Sequence, residues 1–231
     1  MQWANITPVY APDFIVIMGM TQVTTVIGVV LAGGKSTRMG GGDKCLCLLA
    51  GQTLLARAIA RARPQAGELI LNTNGDVTRF SGIDLPIIRD SIDGYAGPLA
   101  GILSALEWVR AHRPDCTHVV SFASDTPFFP TDLVARLIRA AQEKQKPLAC
   151  AASGGRAHPV FGLWPVALAD DLRHAMTREN MRKVDAWTAR HGVALAEYPA
   201  LPFDPFFNIN QQEDLARAAQ LAPIPDKEFE A

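Results

Sequence analysis

Apolar residues in this chain gather in short continuous runs, and segments that read as helices separate them. Val26–Leu31 is unbroken and rich in β-branched side chains, which predicts a strand covered on both faces. Glu68–Asn72, a short Pro86–Arg89 closed by Asp90, Thr117–Phe122 and Pro147–Ala152 predict further strands. Gln52–Arg63, Pro98–Arg110 and Thr131–Lys144 read as the helices between them. Pro64 ends the first, Pro98 suits the first turn of the second, and Thr131 or a neighbour caps the third. Strands alternating with helices predict an α/β fold: three layers, Rossmann-like, a mostly parallel sheet with helices on both faces.

The second half is less regular. Ser153–Arg156 is a turn, and His158–Trp164 reads as a hairpin-like insertion or an antiparallel strand. Pro165–Ala175 and Asn180–Arg190 read as helices, with Gly192 ending the second. Val193–Tyr198 is a further strand, and Phe206–Asn210 leads into a last helix over Gln211–Leu221. Residues 25–222 are expected to form one domain. Residues 223–231 read as a frayed tail. Residues 1–24 hold no Lys or Arg, and their apolar run Phe14–Met20 is too short to span a bilayer. They read as a disordered extension or a mis-assigned start, without a secretory signal's basic leader.

A length of 231 residues, 48% of them hydrophobic, suits one domain with a substantial core. The formal net charge of −1 disfavours a broad nucleic-acid or membrane-surface binder. Cys45, Cys47, Cys116 and Cys150 form no Cys-x-x-Cys pair and no zinc spacing. Reduced thiols suit a cytoplasmic protein.

The chemistry starts after the first strand. Leu31–Lys44 contains five glycines in fourteen residues, together with Lys35, Arg38 and Lys44. Glycine lets the backbone approach an anion and point successive N–H groups at it, and the three cations can neutralise phosphate. The end of a buried parallel strand is where α/β sheets bind ligands. The Gly-Lys-Ser-Thr sequence is not a P-loop, because Val29 stands where that motif needs its first glycine.

Other candidates carry two readings each. Asp125, at the end of a predicted strand, is either a ligand for a hard cation or the cap of the turn that Pro127 shapes. Asn208 and Asn210 flank Ile209, so an extended segment aims both amides one way; a helix cap at Asn210 is the alternative. Asn72 and Asp90 either contact a ligand or close turns. Gly97, Pro98 and Gly101 open a helix at an anion-friendly N-terminus, or simply pack closely. Arg156 and His158 follow a Gly-Gly turn and are candidate ligand contacts, with a structural role open for His158.

Leu31-Ala32-Gly33-Gly34, then Arg38-Met39-Gly40 and Asp43-Lys44, resembles the signature of nucleotidyltransferases with the nucleotide-diphospho-sugar transferase fold. Gly97-Pro98-Leu99-Ala100-Gly101, Asp125-Thr126-Pro127-Phe128, His158-Pro159-Val160-Phe161-Gly162-Leu163-Trp164 and Phe207-Asn208-Ile209-Asn210 follow in order. Together they resemble the molybdenum cofactor guanylyltransferases, the MobA family, over about Val26 to Leu221. The resemblance implies transfer of GMP from GTP to the molybdenum–molybdopterin cofactor, with release of pyrophosphate. It implies GTP binding by Leu31, Ala32, Gly33, Lys44, Asn72, Asp90 and Asp125, with Asp125 the Mg2+ ligand. Gly34 and Gly97 join the GTP set by position. Lys44, Arg38 and Asp125 are the expected catalytic residues; Arg156, His158, Asn208 and Asn210 are the expected acceptor contacts.

One departure is visible. Family members often carry Pro-Cys before Asp-Thr-Pro, where this chain has Ala123-Ser124. Transient contacts with molybdenum cofactor carriers or client molybdoenzymes are expected partners. Three rival readings remain: a cytidylyltransferase on the same cofactor, a sugar-1-phosphate nucleotidyltransferase, and a non-catalytic binding chaperone. The last conflicts with the presence of both Lys44 and Asp125.

Overall fold

A computed structural model describes residues 26–33, 43–94 and 97–221. The sheet is built from β1 (Val26–Leu31), β4 (Glu68–Asn72), β5 (Ile87–Ile88), β6 (His118–Ala123), β7 (Leu148–Ser153), β8 (Arg156–Pro165) and β9 (Val193–Tyr198). Two short strands, β2 (Leu48–Leu49) and β3 (Gln52–Thr53), pair separately as a hairpin. The seven strands lie in the order β5-β4-β1-β6-β8-β7-β9. Every pairing is parallel except those of β8, which runs antiparallel to both β6 and β7. The mostly parallel sheet is therefore as expected, and β8 resolves as the antiparallel strand.

Alternation along each strand feeds two cores. Ile27 and Val29 of β1 pack with α2 (Pro98–His112), α4 (Ala169–Arg178) and α5 (Val184–His191). Val30 points the other way, toward α1 (Leu54–Ala62) and α3 (Leu133–Lys144). This two-sided burial is why β1 reads as a continuous apolar run. A third cluster, with Leu49, Phe128, Phe203 and Ile209, lies beneath α6 (Gln212–Leu221) and the β2–β3 hairpin.

The element ends differ from the sequence expectations for local reasons. Gln52 and Thr53 pair with β2, and the Thr53 hydroxyl caps α1 by accepting from the Ala56 N–H at 3.0 Å, so the helix starts at Leu54. Pro64 does end the α-helix, but the chain continues as a 3-10 turn over Arg63–Gln65. The third helix starts at Leu133, and Asp132 at its N-cap makes no side-chain cap bond. Pro165 precedes a 3-10 turn, Val166–Leu168, so α4 begins at Ala169. Asn180 has a positive φ of 56°, which breaks the helix expected from that position; α5 starts at Val184. The expected N-terminal extension and C-terminal tail lie outside the described residues. No helix among the described residues is long and apolar enough to cross a membrane.

The β7–β8 register carries a large bulge. Cys150 pairs with Gly162 and Ala151 with His158, so Pro159, Val160 and Phe161 are extruded from the ladder. Ser121 anchors this bulge: its hydroxyl donates to the Val160 carbonyl at 2.5 Å and accepts from Trp164 Nε1 at 2.8 Å. A Cβ on Gly162 would lie 2.5 Å from the Trp164 ring and 3.2 Å from the Pro159 carbonyl oxygen. Trp164 is buried and hydrogen-bonded, so it has little room to yield. Gly162→Ala is expected to destabilise the protein by about 1–3 kcal/mol, measured by urea denaturation against the wild type.

Candidate active site

The carboxyl ends of β1, β4 and β6 open into a cleft of about 1050 Å³. Its first wall is made where β1 ends. The Ala32 N–H donates to the Asn72 carbonyl at 2.9 Å, and the Ser124 N–H donates to the Leu31 carbonyl at 3.2 Å. These bonds hold Leu31–Gly33 between its neighbours as the chain leaves the sheet. Asn72 is 3% exposed yet lines the cleft. Its amide donates to Asp90 Oδ1 at 3.0 Å, and Asn74 Nδ2 donates to Asp90 Oδ2 at 2.7 Å. The Asp90 N–H donates back to Asn74 Oδ1 at 3.0 Å. Asp90 is thus gripped by two amides rather than capping its own turn.

The N-terminus of α2 presses on this wall. A Cβ on Gly101 would fall 2.3 Å from Asn72 Oδ1 and 2.8 Å from a Leu31 methyl, so only glycine permits that approach. Gly97, at the N-cap with a φ of 139°, and Pro98 line the cleft beside it.

The centre of the cleft is a cation among oxygens. Lys44 Nζ donates to Asp125 Oδ2 at 2.5 Å, Asn210 Oδ1 at 2.7 Å and Asn208 Oδ1 at 3.0 Å. The side chains of Lys44 and Asp125 are only 13% and 23% exposed. Their convergence has a backbone cause: the Ile209 N–H donates to the Asp125 carbonyl at 2.9 Å, and Ile209 is fully buried. The two amides therefore emerge on one side of a buried residue, as the alternation predicts. Asp214 Oδ2 then accepts the N–H groups of Asn210 and Gln211 and turns the chain into α6. Asp125 Oδ1 accepts from Thr126 Oγ1 at 3.3 Å.

One carboxylate and two amide oxygens are hard donors of the kind that Mg2+ and Mn2+ take. The Lys44 ammonium shows that the cluster accommodates positive charge, so these residues fit a divalent ion. Among the described residues no group of three or more His, Cys, Asp or Glu can hold a metal. An ion here would therefore need oxygens from amides and substrate phosphates as well.

The opposite wall comes from the β8 bulge and the segment before Asn208. Arg156, His158, Phe161, Asp204 and Phe206 line it. His158 stacks on Phe206, ring centroids 4.6 Å apart, and its Nε2 lies 2.7 Å from Ser153 Oγ. Burial holds the His158 pKa below its usual range; Arg156 lowers it further, and Asp204 opposes both. Cys45, beside Lys44, also lines the cleft, but burial pushes its thiol pKa up to about 12. That leaves it an inert thiol at neutral pH rather than a nucleophile.

Most sequence candidates therefore meet in one cleft: Leu31, Ala32, Gly33, Lys44, Asn72, Asp90, Gly97, Asp125, Arg156, His158, Asn208 and Asn210. Gly34, Lys35 and Arg38 lie outside the described residues. Sequence reading missed Asn74, Arg79, Ser153 and Asp204. Arg79 donates to Asp43 Oδ2 at 2.5 Å and to the Asn74 carbonyl at 2.7 Å. It ties the end of the glycine-rich loop to the chain beyond β4, and no local motif marks it.

A family model described as the MobA-like NTP transferase domain matches residues 28–193. The chain belongs to this family. It is 52% identical to a molybdenum cofactor guanylyltransferase of Bradyrhizobium sp. over 211 residues, 91% of this chain and the whole of that one. Among solved structures it resembles a molybdopterin-guanine dinucleotide biosynthesis protein A from Archaeoglobus fulgidus. That match has a TM-score of 0.66 and 23% identity, covering 85% of this chain and 98% of the other. A Mycobacterium tuberculosis protein in complex with manganese matches with a TM-score of 0.62 and 20% identity, covering 85% and 99%. These two structures bear out the fold, and the family model and the Bradyrhizobium relative bear out the family that the motifs resemble.

The Arg79–Asp43 pair holds the residue next to Lys44. Arg79→Ala and Asp43→Asn are each expected to raise the KM for the nucleotide several-fold while sparing kcat. The double variant should be no worse than Arg79→Ala, which already removes the contact to Asp43 together with the one to the Asn74 carbonyl. Steady-state kinetics of the three variants would check this.

Proposed function

We propose that this protein transfers GMP from GTP to the molybdenum–molybdopterin cofactor, forming the guanine dinucleotide cofactor and pyrophosphate. The observation that carries the reading is the Lys44–Asp125–Asn208–Asn210 cluster between two differently built walls, in a chain whose guanylyltransferase relative matches over its entire length. The wall with Leu31–Gly33, Asn72, Asp90 and Gly97 takes GTP. The wall with Arg156 and His158 takes the acceptor.

The acceptor's terminal phosphate oxygen attacks the α-phosphorus of GTP, and the bond to the β-phosphate oxygen breaks in line. No protein nucleophile is needed, since the attacking phosphate is already anionic. Lys44, at the meeting point of the two walls, supplies positive charge for the α-phosphate and departing pyrophosphate, toward which it would turn when an ion takes the oxygens that hold it here. Asn208 and Asn210 orient Lys44 and the phosphate that approaches it. Arg38 and Lys35 are proposed to add charge from the glycine-rich loop. Asp125, with the two asparagine oxygens, would hold Mg2+, which when bound screens the phosphate charge and polarises the phosphoryl oxygens. The remaining work is positioning: the two walls bring two anions together.

Free Cys45, Cys47, Cys116 and Cys150 support a cytoplasmic setting, where thiols stay reduced. Molybdenum cofactor carriers and client molybdoenzymes are the proposed transient partners, and no role on nucleic acid or membranes is proposed.

The deciding assay incubates the protein with the molybdenum–molybdopterin cofactor and either GTP or CTP, and measures pyrophosphate. Release with GTP alone is expected; release with CTP alone would replace the named nucleotide. Chelation by EDTA should stop the reaction, and added Mg2+ should restore it. Lys44→Ala should lower kcat by about 10²–10³-fold. Asp125→Ala should abolish turnover with the circular dichroism spectrum unchanged; full activity in that variant would remove Asp125 from its role.

A further inference from the structure

The acceptor wall contains a hydrogen-bond chain whose direction is fixed. The Ser153 hydroxyl donates to Asp204 Oδ1 at 2.7 Å, and the same oxygen accepts the Phe206 N–H at 2.9 Å. Serine has one hydroxyl proton, and it is directed at Asp204. Ser153 Oγ, 2.7 Å from His158 Nε2, can then only accept from that nitrogen. His158 therefore carries its proton on Nε2. A neutral imidazole protonated there has a lone pair on Nδ1. Burial favours the neutral ring. Nε2 faces Ser153 and one ring face lies against Phe206. Nδ1 has no hydrogen-bond partner among the described residues, and the residue lines the cleft.

We infer that His158 is a hydrogen-bond acceptor, through Nδ1, for an N–H or amino group on the ring of the acceptor substrate. Ser153 and Asp204 are positioning residues that set its tautomer. The inference rests on the reading that this wall takes the molybdopterin cofactor. A reduced pterin ring presents N–H and amino donors along its edge beside its carbonyl and N1 acceptors, and a neutral acceptor nitrogen pairs with the donors. The stacked His158–Phe206 pair adds a flat surface at the same place. The β8 bulge supplies the geometry, because His158 is the last paired residue before the chain leaves the ladder.

Two substitutions separate the nitrogens. Gln reaches the Nε2 position and keeps the bond to Ser153, but offers nothing at Nδ1. Asn places an amide oxygen near Nδ1 and gives up Ser153. His158→Gln should raise the KM for the molybdenum–molybdopterin cofactor about tenfold, the loss of roughly one hydrogen bond, with the KM for GTP unchanged. His158→Asn should stay within a few-fold of wild type. Nitrogen-15 NMR of histidine-labelled protein, with the His158 signal assigned by its loss in His158→Gln, should show an unprotonated Nδ1 and a protonated Nε2. Ser153→Ala should mix the two tautomers. Adding the molybdenum–molybdopterin cofactor without nucleotide should shift the Nδ1 resonance.

A protonated Nδ1 in the wild type, or no shift on adding the cofactor, would overturn the inference. So would equal effects of Gln and Asn. The NMR arm does not depend on turnover. An Nδ1 shift without any GTP-dependent pyrophosphate release would retain the His158 assignment and overturn the guanylyl reading instead.

Discussion

Everything in the cleft is arranged around the ammonium of Lys44. A largely buried positive charge needs several acceptors, and this one draws its three from distant parts of the chain. Asp125 comes from the end of β6, and the two asparagines come from the segment before α6. Lys44 itself comes from the end of the glycine-rich loop. The charge therefore ties the chain at Lys44 to the end of β6 and to the segment before α6. Hard-cation donors and structural cohesion fall on the same atoms, because the oxygens that satisfy the ammonium are of the kind that hold a hard cation.

The two walls differ in how they are made rigid. On the side of Leu31–Gly33, backbone bonds at the end of β1 and the grip of Asn72 and Asn74 on Asp90 fix polar groups at the ends of parallel strands. Gly101 lets a helix end crowd against them. On the other side the supports are aromatic stacking and the Ser153–Asp204 chain. Between them Cys45 sits as an inert thiol, which fits a reaction carried by placement and charge without a covalent intermediate.

The sequence was informative wherever a local rule linked residue to geometry. Alternation about Ile209 foretold that Asn208 and Asn210 would share a side, and the buried run of β6 put Asp125 at a strand end. The alternation of strands and helices gave the layered sheet. Contacts that depend on long separations were not legible. Ser153 and Asp204 lie far apart in sequence, and neither is distinctive until folding brings them together. Arg79 looks like any surface arginine until its reach to Asp43 is seen. Helix starts were displaced where a side chain or backbone sign decided them, as at Thr53 and Asn180. The structural reading of His158 holds at one ring nitrogen, which is tied to Ser153, and that tie does not exclude a ligand at the other.

The bulge in β8 has an evolutionary consequence. The ladder resumes on both sides of Pro159–Phe161, so residues gained or lost there need not disturb the flanking pairs. The pocket next to it can therefore change size by small insertions and deletions while the cationic centre and the opposite wall stay in place. A lineage could retool what the enzyme modifies while inheriting intact the machinery that does the modifying.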